Sequence, residues 1–155
     1  MNKIAKNFSP LFGIGFVPFM PASIASLFTV ALYYVFFEIF YFSNLLIFFA
    51  IIFVFSIKLI DIYSNYIKKH DSSEIVIDEF IGITFILLFY DFVKFTNDLI
   101  MFLIIFILFR FFDILKIFPA NIIDKRLKSA FGVILDDLIA GIYTIIILYI
   151  LNAFY

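Results

Sequence analysis

Asp78, Glu79, Arg110, Asp113, Lys116, Asp136 and Asp137 all stand inside or at the edges of long apolar runs. A charge at the centre of a bilayer costs at least about 2.5 kcal/mol, so ionisable residues in such surroundings need partners or a task. The two acidic pairs supply four carboxylates. An oxygen-only donor set of that density suits a hard divalent cation such as Mg2+ in preference to a softer metal. Arg110 and Lys116 add two permanent cations close by in sequence. Metal and cations together suit an anionic group, and a phosphate ester is the obvious one, because both stabilise a transferring phosphoryl group and its departing oxygen. The chemistry indicated is phosphoryl chemistry on a lipid phosphate that approaches at headgroup depth.

Helical spacing sharpens this reading. Arg110, Asp113 and Lys116 follow one another at i, i+3 and i+6, within an arc of about 120° on one helix. Gly82 lies one turn beyond Asp78 and Gly141 one turn beyond Asp137, so each acidic pair is followed by a residue that lets neighbouring helix backbones approach closely. A purely structural role competes with the chemical one for any single pair, since acids at helix starts and bases at helix ends complement the helix dipole. Three such clusters arriving together favour a site.

The elements that must position these residues follow from composition. Of 155 residues, 66% are hydrophobic and 15% charged, which is more apolar surface than one soluble core can hide. The expected fold is all-α: a polytopic membrane helix bundle, residues 1–155 forming a single membrane-embedded domain. Five spans are expected, over residues 22–42, 45–60, 75–92, 99–118 and 132–151; a four-span variant, with one segment lying at the surface, is the alternative. Gly13, Gly15, Pro18 and Pro21 interrupt the first 20 residues too often for a continuous signal helix, so a re-entrant or interfacial segment is expected there. Residues 61–74 and the stretch carrying Asp124, Lys125, Arg126 and Lys128 read as polar loops.

Basic residues set the orientation, because Lys and Arg in short loops stay on the cytoplasmic side. With five spans Lys3, Lys6, Lys68, Lys69, Lys125, Arg126 and Lys128 share one side, and the three charged clusters sit at helix ends on that same face. Lys94 alone falls in a loop opposite. The other polar residues have plainer roles: Lys58 and Asp61 as an i, i+3 pair, Glu38 snorkelling or facing the bundle, His70 in solvent, Asp91 and Asp98 at the far interface.

Several function classes drop out. No Cys and a single His leave no disulfide and no thiolate or multi-imidazole metal site. A net charge of -1 without a basic run argues against nucleic acid. A small transporter or cation carrier is the main competitor, since intramembrane acids also serve relays, but it predicts acids spread through the bilayer depth. A non-catalytic assembly subunit, its charges paired with a partner helix, ranks last.

At these residues the sequence resembles the phosphatidylglycerophosphatase A family of bacterial inner-membrane lipid phosphatases. The resemblance runs in order through Gly13-Ile14-Gly15 with Pro18 and Pro21, Ile77-Asp78-Glu79 with Gly82, Phe109-Arg110-Phe111-Phe112-Asp113-Ile114-Leu115-Lys116 with Pro119, and Gly132-Val133-Ile134-Leu135-Asp136-Asp137 with Ala140-Gly141. It implies Mg2+-dependent hydrolysis of phosphatidylglycerophosphate to phosphatidylglycerol and phosphate at the cytoplasmic face of the inner membrane. It further implies Asp78, Glu79, Asp136 and Asp137 as metal ligands, Arg110 and Lys116 as a phosphate clamp, and Asp113 as a further ligand or the proton-handling group; Asp137, Arg110 and Lys116 join Asp113 in the catalytic set. The chain departs from the family pattern at Ile117, where a proline is usual, and at Ser129-Ala130, where a glycine pair is usual. Pro21-Ala22-Ser23-Ile24-Ala25-Ser26 replaces Pro-Gly-Thr-x-Gly-Ser, keeping hydroxyls at Ser23 and Ser26, of which Ser23 is expected at the substrate.

Overall fold

The computed structural model describes residues 3–36, 42–69 and 72–154, so Glu38 and His70 lie outside the described residues. Every regular element among them is helical: α1 (Lys3–Phe8), a 3-10 segment (Leu11–Phe16), α2 (Pro21–Phe36), α3 (Phe42–Ile67), α4 (Ile77–Leu87), α5 (Tyr90–Val93), α6 (Asp98–Leu115), α7 (Ala120–Arg126) and α8 (Ala130–Phe154). A helix that is apolar on all sides is surrounded by protein or by lipid, and one helix here is surrounded by protein. α4 is that helix: every residue from Ile77 to Leu87 is buried except Phe85, and α2, α3, α6 and α8 pack against it. Its broadest contact is with α8, where Gly141 and Gly82 let the two backbones close up. A Cβ on Gly141 would lie 3.4 Å from the Gly82 carbonyl oxygen. On the α2 side, Tyr33 Oη and Thr84 Oγ1 share a hydrogen bond of 3.0 Å inside the core.

Helix lengths are unequal, which corrects the picture of five similar spans. Asn44–Ile67 within α3 and Ala130–Phe154 are long and apolar enough to cross a membrane. α2, with 16 residues, and α4, with 11, fall short of the roughly 20 that a 30 Å hydrocarbon layer needs. The expected third span is also interrupted: backbone bonding tightens at Leu88 and Phe89, where Phe89 N–H bonds to Ile86 at 3.0 Å, and restarts as the single turn α5. α6 has 18 residues, starts on the Asn97 side chain, which accepts from Ile100 N–H at 3.0 Å, and carries Asp98, Arg110 and Asp113.

Two stretches expected to be loops are helical. α3 continues through residues 61–67, because Leu59, Ile60, Tyr63 and Ile67 recur at helical spacing and keep one side packed while Asp61 and Asn65 face outward. Residues 120–126 form α7, seated through buried Ala120 and started by amide bonds from Ile122 and Ile123 to the Pro119 carbonyl. At the amino-terminal end the interrupted segment behaves as its glycines and prolines suggest. Gly13 adopts φ +108°, and Gly15 packs so close to the Glu74 carbonyl that a Cβ would lie 2.0 Å from its oxygen. Val76 N–H bonds to the Ser9 carbonyl at 3.0 Å, so this segment buttresses the entry to α4.

Candidate active site

The first turn of α4 carries Asp78 and Glu79, the last two turns of α6 carry Arg110 and Asp113, and the second turn of α8 carries Asp136 and Asp137. All three ends meet around one cavity of about 400 Å³. Asp78, Glu79, Asp113, Asp136, Asp137 and Lys116 line it, together with Pro21 and Ala22 from the start of α2 and Lys69 just past the end of α3. One end of every long helix therefore contributes: the starts of α2, α4 and α8, and the ends of α3 and α6.

Within the cavity Asp78, Glu79 and Asp137 each present a carboxylate oxygen, and these oxygens lie within 4.8 Å of one another. All three residues are buried, at 8%, 6% and 4% exposure. Five buried or half-buried carboxylates here outnumber the three nearby cations, Arg110, Lys116 and Lys69, and buried charge without compensation is strongly unfavourable. Glu79 Oε2, Asp136 Oδ1 and Asp137 Oδ2 have no hydrogen-bond partner among the described residues. Oxygen donors about 2.1 Å from an octahedral Mg2+ sit up to about 4.2 Å apart, so the trio is spaced as donors around one hard cation would be after a small inward closure. The residues fit such an ion.

Arg110 and Lys116 are placed differently from one another. Lys116 Nζ contacts Asp124 Oδ1 and Asp136 Oδ2, each at 2.7 Å, tying the end of α6 to α7 and α8. It follows the last residue of α6 in a left-handed conformation, φ 43° and ψ 57°, so the continuous helical stripe expected from i, i+3, i+6 spacing stops at Asp113. The turn nonetheless delivers Lys116 to the cavity. Arg110 does not line it: the guanidinium forms an ion pair with Asp113 and lies 3.8 Å from Glu79 Oε1, behind the acids. Arg110, expected at the substrate phosphate, in this structure holds carboxylates, because its guanidinium stands off the cavity wall whereas Lys116 lines it.

Asp136, expected beside Asp137 as a metal ligand, has one oxygen taken by Lys116 and stands outside the close trio. Ser23 is half-buried on α2 and is not among the lining side chains; Ser26 is buried and donates to the Ala22 carbonyl at 2.8 Å, a bond within its own helix. Lys58 and Asp61 form no ion pair with each other, while Asp98 pairs with Lys94 at 2.6 Å and Tyr90 Oη at 2.6 Å, away from the cavity. Sequence reasoning missed Lys69, Ser72 and Ser73 as cavity residues and Asp124 as a partner of Lys116. A polar run directly ahead of Asp78 was the available signal for the first three.

Comparison with known proteins identifies the family. A family model described as phosphatidylglycerophosphatase A matches residues 7–152. A protein named phosphatidylglycerophosphatase A from Haemophilus influenzae is 40% identical over 80 residues, 52% of this chain and 47% of its own length. One of the same name from Escherichia coli K12 is 34% identical over 83 residues, 54% of this chain and 46% of its own. The aligned part of the chain thus spans about half the length of the curated relatives it matches. No solved structure is significantly similar. A family match that runs from the end of α1 to within two residues of the end of α8 leaves one conclusion: the chain belongs to the phosphatidylglycerophosphatase A family.

Proposed function

We propose that the chain is a Mg2+-dependent lipid phosphatase that hydrolyses phosphatidylglycerophosphate to phosphatidylglycerol and inorganic phosphate in the synthesis of anionic phospholipid. The observation that carries this reading is the convergence of Asp78, Glu79 and Asp137 within 4.8 Å, with Lys116 on the same cavity. The names of the two relatives supply the substrate. Residues 1–155 act as one membrane-embedded domain, crossing the bacterial inner membrane five times through α2, α3, the α4–α5 pair, α6 and α8. The alternating starts and ends of these helices around the cavity support that count, and the lysines near it favour the cytoplasmic face.

Hydrolysis breaks the P–O bond to the lipid glycerol, joins a water oxygen to phosphorus and returns a proton to the glycerol oxygen. Mg2+ held by Asp78, Glu79 and Asp137 supplies Lewis-acid stabilisation of the phosphoryl oxygens when bound. Lys116 donates to a phosphoryl oxygen from the opposite wall, and Asp136 holds that ammonium in place. Asp113, oriented by its ion pair with Arg110, takes the proton of the attacking water. A relay along the bundle axis finds no support, since the carboxylates of this cluster gather at one end of it.

Purified full-length chain is expected to release phosphate from phosphatidylglycerophosphate with Mg2+ present, and to lose about a hundredfold in rate in excess chelator, recovering on Mg2+ addition. Full turnover in chelator would remove the metal from the reaction. Cation flux into vesicles without phosphate release would replace the enzyme with a carrier.

A further inference from the structure

A second cavity, of about 340 Å³, adjoins the first and has the opposite charge character. Lys68, Lys69, Lys128 and Ser129 line it, with Asp61 as its one acid. Lys69 lines both cavities, and Ala130 of the second lies one helical turn before Val133 of the first. None of the three lysines forms an ion pair with a described residue, although Asp61 shares the cavity. Ser129 Oγ accepts from Gly132 N–H at 3.2 Å, which leaves its hydroxyl hydrogen available to an acceptor. Three ammonium groups around an open space call for an anion.

The outer surface of α3 indicates where that anion comes from. Ile47, Ile51 and Val54, exposed at 61%, 65% and 58%, continue at helical spacing into Lys58, Asp61 and Asn65, all exposed. One stripe thus runs from apolar to polar and ends at the lysine cavity, the order in which a phospholipid presents acyl chains and then a phosphate.

We infer that the lysine cavity binds the diester phosphate of a lipid whose second, monoester phosphate reacts in the neighbouring acidic cavity, so that the enzyme selects lipids carrying two phosphates. This rests on the phosphatase reading above. Lys68 and Lys128 are exposed and solvated, so selection arises from added contacts: a two-phosphate headgroup engages both cavities at once, whereas a one-phosphate lipid engages one.

The test compares two soluble probes on the full chain in zwitterionic detergent with Mg2+: glycerophosphoglycerophosphate, with a diester and a monoester phosphate, and glycerol 3-phosphate, with the monoester alone. The natural chain is expected to bind the first about tenfold or more tightly than the second. A Lys68→Gln, Lys128→Gln double variant loses that preference, with its affinity for glycerol 3-phosphate unchanged. In turnover of phosphatidylglycerophosphate the same variant raises KM about tenfold and leaves kcat within about twofold. Equal affinity of the natural chain for both probes, or equal weakening of both in the variant, overturns the inference. A KM defect that appears only when bulk anionic lipid is added gives the cavity to a neighbouring lipid and overturns it too. Retained two-phosphate preference without phosphate release would instead overturn only the hydrolytic reading.

Discussion

Asp137→Asn is expected to abolish phosphate release, lowering kcat by about a thousandfold or more while the protein still inserts and folds. Asp137 is the α8 member of the carboxylate trio, buried at 4% exposure, and its Cβ packs on α4 at Gly82, where an added Cβ would lie 3.3 Å from it. Asn keeps that shape and removes the charge, so the packing of α8 on α4 survives. It also takes one negative charge from a cluster in which carboxylates outnumber cations, so melting without metal is expected at or above the natural temperature. Mg2+ is expected to raise the melting temperature of the natural chain through binding to the folded state and to give the variant a much smaller shift. A rate within about tenfold of normal, or an undiminished Mg2+ shift, would take Asp137 out of the site.

Gly132→Ala is expected to be the most damaging of the small substitutions for stability. A methyl at this position would lie 1.9 Å from the Leu127 carbonyl oxygen and 2.9 Å from the Leu127 Cβ, both part of the turn that folds α7 back onto the first turn of α8. A backbone carbonyl cannot rotate aside as a side chain can. Overpacking against it is expected to cost about 3 kcal/mol, and melting in detergent to fall by on the order of 10 °C. Activity falls with it, because α7 carries Asp124 and α8 carries Asp136, the two acids that hold Lys116. An unchanged melting temperature would mean that the turn does not pack against α8 in this way. Ser129, standing in the glycine-pair position of the family, caps α8 through the Gly132 amide, so the turn keeps its anchor without that pair.

Much of the site was legible because charge in an apolar run is conspicuous. Asp78, Glu79, Arg110, Asp113, Lys116, Asp136 and Asp137 stand out against their neighbours, and the three segments that carry them do meet. The i, i+3 spacing of Arg110 and Asp113 is realised as an ion pair, and Gly82 with Gly141 marks the close approach of α4 and α8. Spacing, however, fixes direction around one helix axis and says nothing of what stands across from it. Arg110 was expected to face substrate and faces Glu79 and Asp113 instead. Lys69, Ser72 and Ser73 carry no periodicity, and the polar run they share ahead of Asp78 marks them without giving a direction towards the cavity. The extension of α3 through Ile67 was hidden by a polar face that reads as a loop unless Tyr63 and Ile67 are seen as its packed side. The interruption at Leu88 and Phe89 has no glycine or proline to announce it.

Because the acidic cavity is walled by residues drawn from 21–22, 69, 72–79, 113–116 and 133–137, it has no existence in a portion of the chain that stops short of α8. During synthesis the first acids of the cavity, Asp78 and Glu79, are made long before Asp137, and through that interval the pocket is incomplete. On the proposed reading, competence therefore arrives all at once, with the last helix, and a nascent chain that stalls earlier is expected to be inert towards phospholipids.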